Sequence, residues 1–433
     1  MFFDGSYDEI IEKLFRQHPS YQQVGGAAYK EGIETMVAFD HSLSSPHKSY
    51  PVIHVAGTNG KGSVSHMLAS VFMSCGIKTG LYTSPHLSDF RERIKVDGVM
   101  VSKDFVLKFL QSNDHFISEY KPSFFEITTA MAFDYFRQSG VDIAVIETGL
   151  GGRLDSTNIV SPLLTVITNI STDHSEYLGN TIGAIAKEKA GIIKDNVPVV
   201  VGEYNETTRS IFEDTAQRMG SQLFFASESA YSEVSADDYE LDLYGDYQVY
   251  NLRTALLALK VLSRNPLFLG IAGERWSDAS IREGLSTVKT RTGLRGRWEY
   301  LSQNPPVICD TGHNVSGLTH VISQLERQDY KRLFCAVGFM KDKEIDKLIG
   351  ILPVNAYFFF TQAGSGRALS ARLLGERCSA SGLEGEVCES VEQSVRRFRE
   401  LFREGDLLFI GGSSYVVSEA ITFFEKNDIF FAN

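Results

Sequence analysis

Cysteine is scarce and scattered in this chain: there are five in 433 residues (Cys75, Cys309, Cys335, Cys378 and Cys388), with no C-x-x-C pair. An odd, dispersed set of this kind reads as reduced thiols in a cytoplasmic protein. No apolar run approaches the ~20 residues that span a bilayer. The opening residues, Met1-Phe2-Phe3-Asp4-Gly5-Ser6-Tyr7-Asp8-Glu9, are too acidic and polar for a secretory signal. Positive charge is also in short supply, since the formal net charge is −12. That argues against generic binding to nucleic acid or a membrane surface, both of which need a basic field. An anionic small substrate is still compatible with it, provided its site is built locally from loop amides and a few placed cations. Internal repeats, low-complexity tracts and heptad seams are missing as well.

What is present is an ordinary globular composition, 43% hydrophobic and 22% charged, in a chain long enough for two or three domains. Strand-like runs alternate with helical stretches, which predicts α/β layers. In the first part the strands are expected at 51–56, 79–83, 141–147, 163–169 and 197–202. Most are continuous apolar runs, as in a parallel sheet covered on both faces. Helices are expected over 63–74, 128–138, 182–193 and 251–263. The polar, acidic passage 227–246 reads as a peripheral hairpin or loop. A second α/β rhythm starts near Arg297, with strands at 307–310, 332–337, 356–361 and 406–410 and an amphipathic helix over 390–402. Residues 289–296 read as the linker.

The most informative stretch is Val55-Ala56-Gly57-Thr58-Asn59-Gly60-Lys61-Gly62-Ser63. A buried strand leads in and a helix leads out, so the loop aims backbone N–H groups and a positive dipole end at an anion. Lys61 then reaches the terminal phosphates. The pattern differs from the common phosphate loop, because Gly62 stands between Lys61 and the hydroxyl of Ser63.

Four further clusters follow strands. Leu81-Tyr82-Thr83-Ser84-Pro85-His86 offers a hydroxyl for Mg²⁺ or phosphate, or is simply a turn. Glu147 ends an apolar strand and precedes Thr148-Gly149-Leu150-Gly151-Gly152-Arg153-Leu154-Asp155. A carboxylate there suits Mg²⁺, though a solvated strand end reads the same way. Ser171-Thr172-Asp173-His174 could bind metal or cap a helix. Lys187, Lys189 and Lys194 would ordinarily mark a solvated face. In the second half, Arg297 suits phosphate charge, and Asp310, ahead of Gly312-His313-Asn314, suits a ribose or a lysine.

Taken in order, these segments resemble the folylpolyglutamate synthase/dihydrofolate synthase family of the Mur-ligase superfamily. The likeness rests on the stretches at 57–63, 83–87, 149–155, 173–179 and 188–192, on Gly245, Gln248 and Asn251, and on Asp310-x-x-His313-Asn314. Gly338 with Lys341-Asp342-Lys343, and Gly412-Ser413, complete it. Val315 stands where the family has proline. The resemblance implies a P-loop ATPase domain over 1–294, with an N-terminal helical segment and a mostly parallel sheet flanked by helices. A smaller Rossmann-like α/β domain follows over 295–433.

By position, Thr58, Asn59, Gly60, Lys61, Gly62, Ser63, Asn251, Arg297, Asp310 and His313 would hold ATP. Ser84, Glu147 and His174 would ligate Mg²⁺, and Lys189 matches a lysine that the family carbamylates. Lys61, His174 and Lys189 would be catalytic. Ser123, Phe124, Phe125 and Glu126, with Leu154, Asp155 and Ser156, would contact the pterin. The implied enzyme is a monomer that joins L-glutamate to dihydropteroate or a reduced folate through an acyl phosphate. ATP is its co-substrate and Mg²⁺ its cofactor, with room for a monovalent cation. A Mur-type peptidoglycan ligase and a nucleotide-dependent switch are the alternatives.

Overall fold

The computed structural model describes residue 3 and residues 5–18, 32–173 and 175–427. The chain divides into two compact units, one of residues 1–242 and 248–294, the other of residues 243–247 and 295–433. Each is a layered α/β structure, as the alternating pattern predicts.

The sheet of the first unit contains β1 (Val52–Ala56), β2 (Thr79–Tyr82), β3 (Ile94–Val96), β4 (Val99–Met100), β5 (Ile143–Glu147), β6 (Leu164–Ile167), β7 (Val199–Val201) and β8 (Leu223–Phe225). Their order is β4-β3-β2-β5-β1-β6-β7-β8. From β2 to β8 the pairing is parallel, and β3 and β4 add an antiparallel edge. All five residues of β1 and of β5 are buried, because helices cover both faces and leave no solvent side to alternate with. Val52, Ala144 and Ile146 join Ile127, Phe133 and Phe136 in one core cluster. Ala56, Ile167 and Val199 join Ala186, Ile192 and Phe212 in another.

The helix Lys61–Ser74 is buried from Ser63 to Phe72, wrapped by the sheet and by the helices Gln248–Leu262 and Asp278–Ser286. It is therefore buried nearly all round instead of amphipathic, with Ser65, His66 and Ser70 enclosed among its apolar residues.

In the second unit, β9 (Glu299–Gln303), β10 (Pro306–Asp310), β11 (Arg332–Val337), β12 (Tyr357–Phe360), β13 (Glu384–Val387) and β14 (Asp406–Gly411) run in the order β13-β12-β11-β14-β10-β9. Only β9 is antiparallel.

The passage 227–246 is loop, one of the two forms expected for it, with short 3₁₀ turns at Ala226–Glu228 and Asp237–Tyr239. One expectation needs correcting. Residues 289–292 are helix instead of linker, because Lys289 N–H and Thr290 N–H donate to Asp242 Oδ2 and the side chain of Thr292 is fully buried. The edge strands β3, β4, β8, β9 and β13 escape the sequence reading because they are short or carry charge. The polar Glu384-Gly385-Glu386-Val387 is the clearest case, a charged edge being what discourages further pairing.

Candidate active site

Strand register decides which clusters meet. Val55 pairs with Glu147, Ala56 with Ile167, and Tyr82 with Ile146, so β2, β5, β1 and β6 end level with one another. Neighbouring strands lie about 4.8 Å apart. The segments after them, Thr83-Ser84, Glu147 to Asp155, Gly57 to Lys61 and Thr168 to Asp173, therefore share one edge at the carboxyl ends of a parallel sheet. This is the place where such sheets hold ligands.

The phosphate loop is built before any ligand arrives. Gly57 has φ +147 and Gly60 has φ +81, so both need a backbone that side chains rarely allow. A Cβ on Gly57 would stand 1.9 Å from Thr168 Oγ1, and one on Gly60 would stand 2.1 Å from Asn251 Oδ1. The loop is laced to the segment after β6. Thr58 N–H donates to Asn169 O (2.9 Å), Asn59 N–H to Asn169 Oδ1 (3.0 Å), and Thr168 Oγ1 to Asn59 O (2.5 Å). Thr58 Oγ1 also donates to Ser171 O at 3.1 Å.

Thr58 and Asn59 thus shape the loop with their own amides. The free donors are those that every helix leaves in its first turn, here Lys61, Gly62 and Ser63. Ser63 Oγ is buried with no hydrogen-bond partner among the described residues. A buried hydroxyl at a helix start, below a phosphate cradle, fits an octahedral Mg²⁺–phosphate group. Lys61 Nζ lies over the loop, 3.1 Å from Gly57 O and from Thr58 O. Asn251 is buried against Gly60 and donates to Gln248 Oε1 at 2.8 Å.

Ser84 and Glu147 come together, with Ser84 N–H donating to Glu147 Oε2 at 3.2 Å. Among the described residues no group of three or more His, Cys, Asp or Glu could hold a metal by itself. Ser84 and Glu147 fit a site that phosphate oxygens and water complete, as Mg²⁺ prefers. His174 lies outside the described residues.

Lys189, near the end of the helix Ile182–Ala190, is buried and donates to Gly57 O at 2.7 Å. Burial and, next, the charge of Lys61 push its ammonium down to about 7, against the pull of Asp173 and Asp155. Its neighbour Lys187 is exposed, so of these two lysines Lys189 is the one that faces the loop.

The two segments assigned to the pterin also meet. Phe125 lies over Gly149, where a Cβ would be 2.5 Å from the ring. Ser123 and Glu126 form a capping box at the start of the helix Phe124–Ser139, and Phe124 is buried against Phe15, with ring centroids 5.0 Å apart. Asp155 is buried and anchors its own loop. Its Oδ2 accepts from Gly149 N–H and Leu150 N–H, both at 2.8 Å. Leu154 and Ser156 flank it, half-buried.

Sequence reasoning passed over Thr157 and Asn158. Asn158 Nδ2 donates to Arg153 O and Gly191 O, both at 3.0 Å, joining the glycine segment to the end of the Lys189 helix. The run Asp155-Ser156-Thr157-Asn158, rich in short hydrogen-bonding side chains, was the available signal.

In the second unit, Val337 and Asp310 both pair with Gly411, so β10, β14 and β11 also end level. Asp310 Oδ2 accepts from Tyr247 Oη (2.5 Å) and Trp298 N–H (2.7 Å), and its Oδ1 accepts from Gly312 N–H (2.7 Å). Arg297 donates to Gly296 O (3.2 Å) and to Thr311 Oγ1, and His313 Nδ1 lies 3.0 Å from Thr311 O. Asn314 Oδ1 caps the helix Val315–Leu325 by accepting from Gly317 N–H at 2.9 Å, so the turn forms with Val315 in the proline position.

Residues 55–259 match the Mur ligase middle domain, and residues 296–414 match the Mur ligase glutamate ligase domain. The dihydrofolate synthase/folylpolyglutamate synthase of Bacillus subtilis is 33% identical over 421 residues, covering 90% of this chain and 94% of that one. The chain belongs to the folylpolyglutamate synthase/dihydrofolate synthase family of the Mur ligases.

E. coli FolC, solved in complex with DHPP and ADP, superposes on this family member with a TM-score of 0.84 at 25% identity, covering 99% of this chain and 100% of that chain. A bifunctional folylpolyglutamate synthase/dihydrofolate synthase with Mn, AMPPNP and L-glutamate bound gives a TM-score of 0.82 at 25% identity, covering 98% and 99%. The chain spans 48% of a longer relative, the probable bifunctional folylpolyglutamate synthase/dihydropteroate synthase of Haloferax volcanii, at 30% identity over 91% of this chain. Like its family, the chain is an ATP-dependent ligase.

Proposed function

We propose that this ligase joins L-glutamate to the carboxylate of a pterin or folate, accepting both dihydropteroate and reduced folates. One observation carries the reading. The phosphate loop, the Ser84–Glu147 pair and the Phe125–Gly149 platform occupy the level ends of adjacent strands β1, β5 and β2. A triphosphate on the first and an acid on the last are then served by one sheet edge.

A carboxylate resists attack by an amine because its oxide leaving group is too basic. Transfer of the γ-phosphoryl group to the carboxylate oxygen breaks the bond to the β-phosphate and yields an acyl phosphate. The α-amine of glutamate attacks the acyl carbon, inorganic phosphate leaves with the bonding pair, and the new amide nitrogen loses its extra proton. Catalysis is therefore positioning and charge neutralisation.

Lys61 and the N–H groups of Lys61, Gly62 and Ser63 take the phosphate oxygens. Ser63, Ser84 and Glu147 would hold Mg²⁺, with His174 as the ligand assigned from sequence. When bound, the ion neutralises phosphate charge. Lys189, with a basicity that leaves much of it neutral near pH 7, has the free pair needed to add to CO₂. Its carbamate is an anion in place of a buried cation, and it turns the repulsion by Lys61 into attraction. Asn251 in the first unit, and Arg297, Asp310 and His313 in the second, are the residues that the family resemblance assigns to nucleotide. Phe125, Leu154 and Ser156 face the pterin, on a platform that Ser123, Phe124, Glu126 and Asp155 hold in shape. We further propose a cytoplasmic monomer that has room for a monovalent cation and binds neither nucleic acid nor membrane. Among the described residues no single helix is long and apolar enough to cross a membrane.

The test is phosphate release by purified protein with ATP, L-glutamate and either dihydropteroate or tetrahydrofolate, alongside a UDP-linked peptidoglycan precursor. Glutamate-dependent release with the pterins alone is expected. Turnover confined to the UDP-linked acceptor, or none, overturns the reading.

A further inference from the structure

A histidine with no assigned role sits in the strand that leads to the phosphate loop. His54, in β1, is fully buried, and its Nε2 lies 2.8 Å from Thr157 Oγ1. Thr157 Oγ1 donates to Asp155 Oδ1 at 2.5 Å, and Thr157 N–H donates to the same oxygen at 3.0 Å. Asp155 then receives four donors, the other two being Gly149 N–H and Leu150 N–H.

The donor count orders the whole chain. Three backbone N–H groups, which can only donate, converge on Asp155 and hold it as the ionised acceptor against the burial that raises its pKa. The single hydroxyl hydrogen of Thr157 is spent on it. His54 must therefore donate from Nε2, which leaves Nδ1 as the bare nitrogen. Nδ1 is buried with no hydrogen-bond partner among the described residues, so a proton there would be a buried unpaired donor, and the proton sits on Nε2 instead. Burial and, next, the charge of Lys194 push the ring down to about 3, so it stays neutral throughout the working range.

We infer that His54 and Thr157 are positioning residues for acid-substrate binding, acting through Asp155 to fix the shape of the Gly149–Asp155 segment. The inference rests on the proposed contact between that segment and the pterin. The same segment carries the Gly149 on which Phe125 lies, and the N–H groups of Gly149 and Leu150 both donate to Asp155 Oδ2. Loss of the hydroxyl would leave Oδ1 held by Thr157 N–H alone, loosening the carboxylate and with it the position of Oδ2. Because β1 also feeds Gly57, a network of this kind holds the acid platform in register with the phosphate loop.

The test compares the wild type with Thr157→Val, Thr157→Ser, His54→Phe and His54→Gln. Removing a hydrogen bond to a buried carboxylate is worth a factor of roughly 10 or more. Thr157→Val should raise the KM for dihydropteroate or tetrahydrofolate about 10-fold and leave the KM for ATP within about 2-fold. Thr157→Ser should restore it. His54→Phe should raise the same KM a few-fold, and His54→Gln, which returns an N–H near the same place, should restore most of it. These last two keep the question answerable if Thr157→Val does not fold.

Nitrogen-15 shifts of the His54 ring in the wild type should report the neutral Nε2–H form. An Nδ1–H form, equal KM changes for ATP and acid, or no KM change in either damaging variant overturns the inference while the proposed function stands. A wild type that turns over no pterin overturns both.

Discussion

Replacing Lys189 by methionine tests the electrostatics of the site through stability as well as activity. The Lys189 ammonium falls from 10.5 to about 7 on burial beside Lys61. At about 1.4 kcal/mol per decade, that fall corresponds to about 5 kcal/mol. The cost is absent above the unfolded value of 10.5, grows as the pH drops, and is complete below about 7, where the buried ammonium is charged in both states.

At pH 7 the wild type therefore carries about 4 kcal/mol of it, and at pH 9 about 2 kcal/mol. Methionine keeps the length and volume without the charge. It forfeits the bond to Gly57 O, worth about 1 kcal/mol, and that oxygen keeps Lys61 Nζ at 3.1 Å. Lys189→Met should thus be more stable than the wild type by about 3 kcal/mol at pH 7 and by about 1 kcal/mol at pH 9. That is a rise of several degrees in the unfolding temperature of the first unit, shrinking as the buffer becomes basic. The scans must be made in CO₂-free buffer, because a carbamate removes the cation. Glutamate-dependent phosphate release should meanwhile be lost. A variant less stable than the wild type, or a stability gap that does not narrow with pH, refutes the account of Lys189.

Lys61→Ala should slow glutamate-dependent phosphate release about 10²–10³-fold, as the loss of a donor to developing charge typically does; turnover near the wild type would remove Lys61 from the phosphate site. Gly60→Ala forces a Cβ to within 2.1 Å of Asn251 Oδ1 at φ +81, which adds about 1 kcal/mol of backbone strain to the clash. Nucleotide affinity should fall at least about 10-fold with acid binding little changed, as calorimetry with ADP would show. Asp155→Asn must turn an amide nitrogen toward donors on one side, leaving buried N–H groups unsatisfied at about 1–3 kcal/mol each. A lowered unfolding temperature with a raised KM for the pterin is expected, and an unchanged melting curve would show that the loop does not depend on the carboxylate.

Local chemistry made the phosphate loop legible. A buried strand, glycines with positive φ and a helix start lie within a dozen consecutive residues, and each imposes its geometry on the next. The same holds for Glu147 at its strand end and for the alternating architecture. Asp155 was legible as important, yet its part as the anchor of its own loop was not, because that depends on where Gly149, Leu150 and Thr157 point their donors.

Lys187 and Lys189 show where the limit falls. Two residues apart on one helix and identical in type, they differ only in that one faces water and the other Gly57. His54 looks in the sequence like any residue of an apolar strand, and its partner is 103 positions away. Sequence alone determined the α/β class, the two-part organisation and the strand–glycine loop–helix segment at 52–74, since these follow from periodicity and from steric rules within neighbouring residues. Tertiary structure decided how Ser84, Glu147, Lys61 and Lys189 meet along one edge, which amides the loop keeps for itself, and that Lys189, the lysine the resemblance singled out, is buried while Lys187 is exposed. Those outcomes depend on strand order, register and burial, quantities set by residues far apart in the chain.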